Sequence, residues 1–246
     1  MRTRPHAAPA TFLLVSIVAF AAMVPRVAAQ EVERNGATTR PAAANGVDVT
    51  KEPLQEFVLE VDGKRTEVTA ERPFQIDVAG KSVDARLTPK PDRPFTTGDL
   101  SFRYPSDFAF EYDPSEDVPS WEFDGTDTVI TVLRYDPESK PDELVDSVVE
   151  AMTDTFNRRS AKTKPTSLRL DGRNVDGKRL TSRLADTRLQ HDVYGFTVGG
   201  HPYVLIIQDT LSEGGKPSAE TVEAVELLKK TFRFDSNPST APAAAR

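Results

Sequence analysis

The sequence predicts an α+β fold, in which an antiparallel β-sheet is sandwiched by helices and an extra N-terminal β-hairpin pair precedes the main domain. The first observation is the run from Tyr203 to Ile207, which has no polar residue and is therefore expected to be a central strand covered on both faces. The second is two apolar stripes at helical spacing, one from Leu144 to Phe156 and one from Ala219 to Phe232. The third is the order of the elements, strands then helix then strands then helix, which is typical of an antiparallel sheet with helical cover.

The first 29 residues are predicted to be a secretory signal peptide that is cleaved after Ala29. Arg2 and Arg4 precede an apolar run from Phe12 to Val24, and small residues come before the cleavage point. An uncleaved membrane anchor is the alternative, for which this apolar run is short. We therefore expect a secreted or periplasmic protein with no transmembrane segment after signal cleavage.

Composition excludes several classes of protein. The formal net charge of −7 over 246 residues becomes −10 after cleavage, because the signal holds three arginines and no acid. An acidic chain of this kind is not expected to bind nucleic acid. The chain has no cysteine, which excludes disulfides, thiol nucleophiles, cysteine metal sites and a lipidated cysteine after the signal. The folded domain must therefore be stabilised by its core alone.

Two segments separate the signal from the main domain. Residues 30–53 are polar and alanine-rich without periodicity, which predicts a disordered linker. Residues 54–91 contain a weak repeat, FVLEVDGK from Phe57 to Lys64 and FQIDVAGK from Phe74 to Lys81, and in each copy an alternating strand runs into a glycine turn. We interpret the repeat as a pair of β-hairpins, which either protects a sheet edge or docks a partner.

The main domain is predicted to cover residues 92–234, with a disordered tail over 235–246. The three prolines between Thr88 and Pro94 mark its beginning. Alternating or β-branched runs predict its strands. The expected strands are Leu100 to Pro105, Phe108 to Tyr112, Thr128 to Tyr135, two strands between Thr166 and Ala185 with turns at Asp171-Gly172 and Asp176-Gly177, and a hairpin from Val193 to Thr210.

Two helices are expected in this domain. The first runs from Pro141 to Arg159 and has Ser139 as its predicted cap. The second follows a cap at Ser218 and continues through Lys230. Its predicted inward-facing residues are Ala219, Val222, Val225, Leu228 and Phe232.

The order of the elements in the main domain begins with the motif LSFRYP, from Leu100 to Pro105. The strand and helix of Val129 to Phe156 and the strand from Val175 to Leu184 come next. The YVLII strand and a closing helix that ends in TFRF complete the order. This order resembles that of the PsbP-like proteins, which include the extrinsic protein of photosystem II, a Ran-binding nuclear import factor and bacterial secreted and envelope members. The resemblance covers roughly Phe95 to Phe234. It implies an antiparallel sheet sandwiched by helices and an accessory or adaptor role, and it implies no catalytic residue.

Catalytic signatures are absent from the sequence: it has no G-x-S-x-G, H-E-x-x-H, phosphate-loop or G-x-G-x-x-G motif. The mature chain has two histidines, His191 and His201, and each is expected at the surface beside a turn. A histidine acting as a base needs a nucleophile and an orienting partner within reach. We therefore predict that the protein is not an enzyme and has no catalytic residue and no cofactor.

An acidic segment from Glu111 to Asp127 holds seven acids and no base. It is interpreted as a solvated connection between strands. The alternative hypothesis is weak calcium binding, with Asp124 and Asp127 as ligands, because calcium prefers carboxylate and carbonyl oxygens in flexible loops. A rise in melting temperature in millimolar calcium, with magnesium as the control, tests this hypothesis.

A basic segment runs from Arg158 to Arg188 and contains ten bases and three acids. Arg179 and Arg183 are expected on the same strand face, where they form a solvated sheet face or, as the alternative hypothesis, a surface for an acidic partner. Substituting both arginines by glutamate and measuring the affinity for that partner tests the hypothesis.

The sequence therefore predicts an exported, non-catalytic accessory or binding protein of the cell envelope or extracellular space, whose partner is an unknown protein or small ligand. The alternative is a carrier of a small apolar or acidic ligand held between helix and sheet, since such seams often form pockets. A third hypothesis is an envelope hydrolase, because catalytic residues that are distant in the sequence can lie close together in the fold.

Overall fold

The computed structural model describes residues 48–70, 84–114, 118–156 and 160–235. These residues form strands and two helices, numbered in chain order. The strands are β1 (Glu56–Val61), β2 (Lys64–Thr69), β3 (Ala85–Pro89), β4 (Asp92–Thr96), β5 (Leu100–Pro105), β6 (Ala109–Asp113), β7 (Ser120–Asp124), β8 (Thr128–Arg134), β9 (Lys162–Leu170), β10 (Arg173–Leu184), β11 (Thr187–Val198), β12 (His201–Thr210) and β13 (Arg233–Phe234). The helices are α1 (Pro141–Thr155) and α2 (Ala219–Thr231). None of the helices in these ranges is long and apolar enough to cross a membrane.

The largest element is a seven-stranded antiparallel sheet with the order β6-β7-β8-β12-β11-β10-β9. The strand β12 lies at its centre, and every residue from Tyr203 to Ile207 is buried. This confirms the prediction that the YVLII run is a central strand. The turn between β11 and β12 contains Gly199 and Gly200 with φ angles of 60° and 82°, a conformation that favours glycine.

Different layers cover the two faces of this sheet. On one face, α1 packs through Val145, Val148, Val149 and Met152. On the other face lie α2 and a three-stranded sheet with the order β13-β5-β4. The fold is therefore α+β and mainly antiparallel β-sheet, as predicted, whereas the predicted sandwich of the sheet by helices is not confirmed, because this second layer is partly a sheet.

Strand β7 is an element that the sequence analysis missed. It lies inside the acidic segment that was interpreted as a solvated connection, and its Trp121 and Phe123 are both fully buried. The indole Nε1 of Trp121 donates a hydrogen bond to the carbonyl oxygen of Val49 at 2.9 Å. Val49 is itself only 4% exposed, so this part of the predicted linker packs in the core.

The segment before the main domain forms a three-stranded sheet with the order β2-β1-β3. Its hairpin of β1 and β2 corresponds to the first copy of the predicted repeat, while the second copy, from Phe74 to Lys81, lies outside the described residues. Only Lys90 and Pro91 separate β3 from β4, so the proline-rich segment interrupts the strands less than expected.

Ion pairs connect this small sheet to the main domain. The carboxylate of Glu56 on β1 accepts hydrogen bonds from Arg103 on β5 at 2.6 Å and from Lys90 at 3.3 Å. Burial alone would raise the pKa of Glu56, but the hydrogen bonds and positive charges of Arg103 and Lys90 outweigh it and hold the pKa below its usual value. These charged side chains therefore contact each other across the junction between the small sheet and the main domain.

The helix boundaries differ in detail from the prediction. Helix α1 has Lys140 at its N-cap without a side-chain hydrogen bond, so the predicted cap at Ser139 is wrong. Helix α2 begins after Ser218, whose hydroxyl accepts a hydrogen bond from the backbone N–H of Thr221 at 3.0 Å, which confirms that cap. Its inward face contains Thr221 and Leu228, whereas Val222, predicted to face inward, is 52% exposed.

One predicted turn is absent from the strands that follow α1. The turn at Asp171-Gly172 joins β9 to β10 as expected. Gly177, however, lies inside β10, where an added Cβ would be 2.2 Å from the carbonyl oxygen of Val193. This glycine allows a close approach of two strands, and the chain reverses at Ala185 and Asp186.

Candidate ligand-binding site

The seven-stranded sheet splits open between β10 and β11. Their ladder ends at the pair Gly177 and Tyr194. Beyond that pair, residues 173–176 of β10 remain paired with β9, and residues 195–198 of β11 remain paired with β12. The two strand ends therefore face each other across a cleft instead of forming a ladder.

This cleft has a volume of about 270 Å³. Buried side chains of Val175, Phe196 and Phe234 form its apolar lining. Its polar lining residues are Asp142, Arg173, Asn174, Asp176 and Thr197, which are all exposed to solvent. The cleft thus combines an apolar side with an open, polar side.

The backbone of Thr197 is directed into the cleft. In an antiparallel ladder the N–H and C=O groups of successive residues point to alternate sides. The carbonyl oxygen of Pro202 accepts a hydrogen bond from the N–H of Tyr135 at 2.9 Å, on the side of β8. Because Thr197 is the ladder partner of Pro202, its own N–H and C=O point the other way, towards β10.

The backbone of Asn174, on β10, is directed into the cleft from the side opposite Thr197. A two-residue turn at Asp171-Gly172 closes the β9–β10 hairpin, so its flanking pair, Leu170 and Arg173, exchanges hydrogen bonds. The next residue, Asn174, therefore directs its backbone groups away from β9 and towards β11. Among the residues that the structure describes, no strand pairs with either of the two strand edges that border the cleft.

A glycine explains why the start of α1 lies so close to this cleft. A Cβ atom on Gly195 would be 2.8 Å from the carbonyl oxygen of Pro141 and 2.8 Å from a methyl group of Val145. The first turn of α1 therefore packs directly on the backbone of β11. Asp142, the residue after Pro141, is brought to the mouth of the cleft in this way.

The charged groups around the cleft are unevenly placed. The carboxylates of Asp142 and Asp176 lie at its lining, together with one base, Arg173. The guanidinium carbon of Arg173 lies 4.8 Å from the centre of the Phe234 ring, in a cation–π arrangement. The two aspartates and the one arginine give the lining residues a formal net charge of −1.

The residues proposed as calcium ligands lie elsewhere, at the turn between β7 and β8. There the carboxylate of Glu220, from α2, accepts hydrogen bonds from the backbone N–H groups of Thr126 at 3.0 Å and Asp127 at 2.6 Å. Burial, followed by the negative charge of Glu220, raises the pKa of Asp124 and of Asp127. Within the described ranges, no group of three or more acidic, histidine or cysteine side chains is arranged to hold a metal ion.

The two arginines of the proposed partner surface have different environments. Arg179 makes two hydrogen bonds of 2.6 Å to the carboxylate of Asp192, and the hydroxyl of Tyr194 donates to the same carboxylate at 3.4 Å. The side chain of Arg183 is exposed, and its Nη2 lies 3.9 Å from Oδ1 of Asp186. Of these two arginines, Arg179 is therefore committed to a partly buried ion pair within the chain, whereas Arg183 is exposed and pairs with the exposed Asp186.

The prediction that His191 lies at the surface is wrong. It is fully buried in β11, where its Nε2 lies 2.9 Å from Oε1 of Gln208 and its ring packs on Phe156 at a centroid distance of 5.1 Å. Burial lowers the pKa of His191 to about 4, so the ring is neutral in the folded protein at neutral pH. His201 is partly exposed at the start of β12.

Known proteins offer little guidance about this site. No family model and no curated protein matches the chain. Among the solved structures that match is the crystal structure of LpqN, described as involved in cell envelope biogenesis of Mycobacterium tuberculosis; it covers 58% of this chain and 84% of its own, at 10% identity and a TM-score of 0.32. A similarity at that level carries no argument about fold or function.

Proposed function

We propose that the protein is an exported, non-catalytic binding protein of the cell envelope or extracellular space, which holds a small polar ligand in the cleft between β10 and β11. Export is supported by the signal-like pattern from Met1 to Ala29, and the PsbP-like assignment by the order of the sequence motifs. The cleft favours the ligand carrier over a purely structural accessory protein.

The observation that carries this proposal is the open end of the β10–β11 ladder. A sheet normally pairs its strands along their shared length, because unpaired backbone groups without water or a partner are costly. Here paired strands diverge and leave a cleft of about 270 Å³, just below the roughly 300–1,000 Å³ typical of ligand pockets. Each wall is paired with a further strand, β10 with β9 and β11 with β12, which supports a site that is largely formed before a ligand binds.

The non-catalytic part of the proposal is supported by the surroundings of the cleft. Among the described residues that line it, the groups able to act as an acid or base are the aspartates Asp142 and Asp176, and both are exposed to solvent. His191, the histidine considered as a catalytic base, is enclosed by Gln208 and Phe156 on the face that packs against α1. The polar groups at the cleft are suited to hydrogen bonding and charge recognition.

Native mass spectrometry of the mature protein, purified gently from its own host, tests the proposal. We expect wild-type protein to carry an additional small mass, and we expect the Asn174→Trp variant to lose it because the indole fills the cleft. The control is Leu184→Trp, which places the same side chain at an exposed position at the far end of β10. A mass that both variants retain, or wild-type protein without any added mass, would contradict the proposed site.

A further inference from the structure

The walls of the cleft provide the hydrogen-bonding pattern of a strand edge. Thr197 on one wall and Asn174 on the other direct N–H and C=O groups into the space where the β10–β11 ladder has ended. An extended peptide satisfies such groups by adding its own backbone to the edge, which is a common mode of peptide recognition. A ligand without alternating donors and acceptors would leave these groups to water.

The charges at the mouth favour a cation. Asp142 approaches from the first turn of α1, and Asp176 from β10, so two carboxylates from different elements line the same opening. The guanidinium group of Arg173 is already placed over the ring of Phe234. Because the guanidinium keeps its charge, the lining residues sum to a net charge of −1, and a ligand with a positive charge would meet a net complementary charge at the opening.

The apolar lining of the cleft is suited to an aliphatic part of the ligand. Val175, Phe196 and Phe234 are buried side chains that contribute apolar surface to the cleft. Lysine and arginine have aliphatic stems that pack on apolar surface while their charged ends stay in a polar environment. A basic side chain therefore matches both the apolar side and the acidic mouth.

We propose that the cleft binds a short extended peptide segment that contains a basic residue, with its backbone paired to the open edges of β10 and β11 and its positive charge between Asp142 and Asp176. This inference rests on the proposed ligand-binding function and specifies its ligand class. The volume of about 270 Å³ limits the segment that enters the cleft to a few residues.

The probe is the capped tripeptide acetyl-Ala-Lys-Ala-amide, titrated calorimetrically into the mature full-length protein at low salt. We expect binding of this peptide and no detectable binding of acetyl-Ala-Glu-Ala-amide, which has the same backbone and the opposite charge. Butylamine, which has the amine without the backbone, is expected to bind at least about tenfold more weakly, a difference that corresponds to about 1.4 kcal/mol.

Matched variants locate the interaction. The double variant Asp142→Asn and Asp176→Asn keeps the shape of both side chains and is expected to weaken binding of the lysine peptide about tenfold or more. Asp186→Asn removes an exposed acid at the opposite end of β10 and is expected to leave the affinity unchanged.

Three results would overturn the inference: no binding of the lysine peptide, equal binding of the glutamate peptide, or equal binding of butylamine. These failures can be separated from failure of the proposed function. If Asn174→Trp still removes a native small mass, the cleft binds a ligand of another class. If no such mass is found, the ligand-binding function fails as well.

Discussion

Replacing Phe123 by alanine is expected to lower the free energy of unfolding by about 4 kcal/mol. Phe123 lies on β7, has no exposed surface and is surrounded by aromatic rings. Its ring centroid is 4.9 Å from that of Phe95, 5.3 Å from Phe102, 4.5 Å from Tyr104 and 5.6 Å from Phe110. The substitution would remove ring–ring contacts and leave a cavity between the large sheet and the layer of β4 and β5.

Urea unfolding of the purified mature protein measures this loss. The control is Val222→Ala on α2, where the side chain is 52% exposed, and it is expected to change the free energy of unfolding by no more than about 0.5 kcal/mol. Equal stabilities of the Phe123→Ala variant and the wild-type protein would show that β7 is not part of the core.

Two titrating groups, the buried His191 and the partly buried Glu122, are expected to give opposite pH dependences of stability. The pKa of His191 is lowered to about 4 by burial, so its folded-state value lies below the ordinary value of 6.5. Unfolding then takes up a proton between these values, and stability falls as the pH is lowered from about 6.5 to about 4, by roughly 3 kcal/mol in total.

Glu122 has the opposite effect. Burial, followed by the negative charges of Asp124 and Glu111, raises its pKa to about 7 from an ordinary value of 4.5. Its folded state therefore holds a proton more tightly than the unfolded state, and its contribution to stability is lost as the pH rises from about 4.5 to about 7. Because the carboxyl group is only partly buried, this contribution is smaller than that of His191.

The two variants His191→Gln and Glu122→Gln separate these contributions. Relative to wild-type protein, Glu122→Gln is expected to gain stability as the pH rises from 4.5 to 7, whereas His191→Gln is expected to lose it between 4 and 6.5. Urea unfolding at half-unit pH steps gives both difference curves, from which the titrations common to all three proteins cancel. Difference curves that slope in the same direction with pH would contradict the assignment of these two groups.

The sequence predicts an element well when its buried residues follow a regular pattern along the chain. The run from Tyr203 to Ile207 is buried throughout, because a central strand needs apolar side chains on both faces. The apolar stripe of α1 likewise contains the residues that pack on the sheet. In both elements the local pattern and the tertiary environment demand the same residues.

Elements stabilised by polar contacts were predicted less well. Strand β7 was not predicted because acidic residues surround Trp121 and Phe123. In the structure, buried and partly exposed residues alternate regularly along this strand. On α2, Thr221 takes an inward position because its hydroxyl donates to Asp209 at 2.8 Å and lies 2.6 Å from that of Thr128. These partners lie far away in the sequence, so the helix pattern alone could not indicate them.

The cleft could not be predicted because it depends on where two strands cease to pair. Gly177 and Gly195 were the available signals, since a glycine inside a strand often marks a close approach of backbone. The pair Asp176-Gly177 also has the pattern of a turn, and the lining residues carry no recognisable motif. Strand register, a tertiary property, brings Asn174 opposite Thr197.

The most direct test of the ligand-binding account is a crystal structure of the mature protein purified from its own host without a ligand being added. The account predicts continuous electron density in the cleft, hydrogen-bonded to the backbone of Thr197 or Asn174 and in contact with Phe196. A cleft that contains only water, or that is closed by pairing of residues 173–176 with residues 195–198, would contradict it.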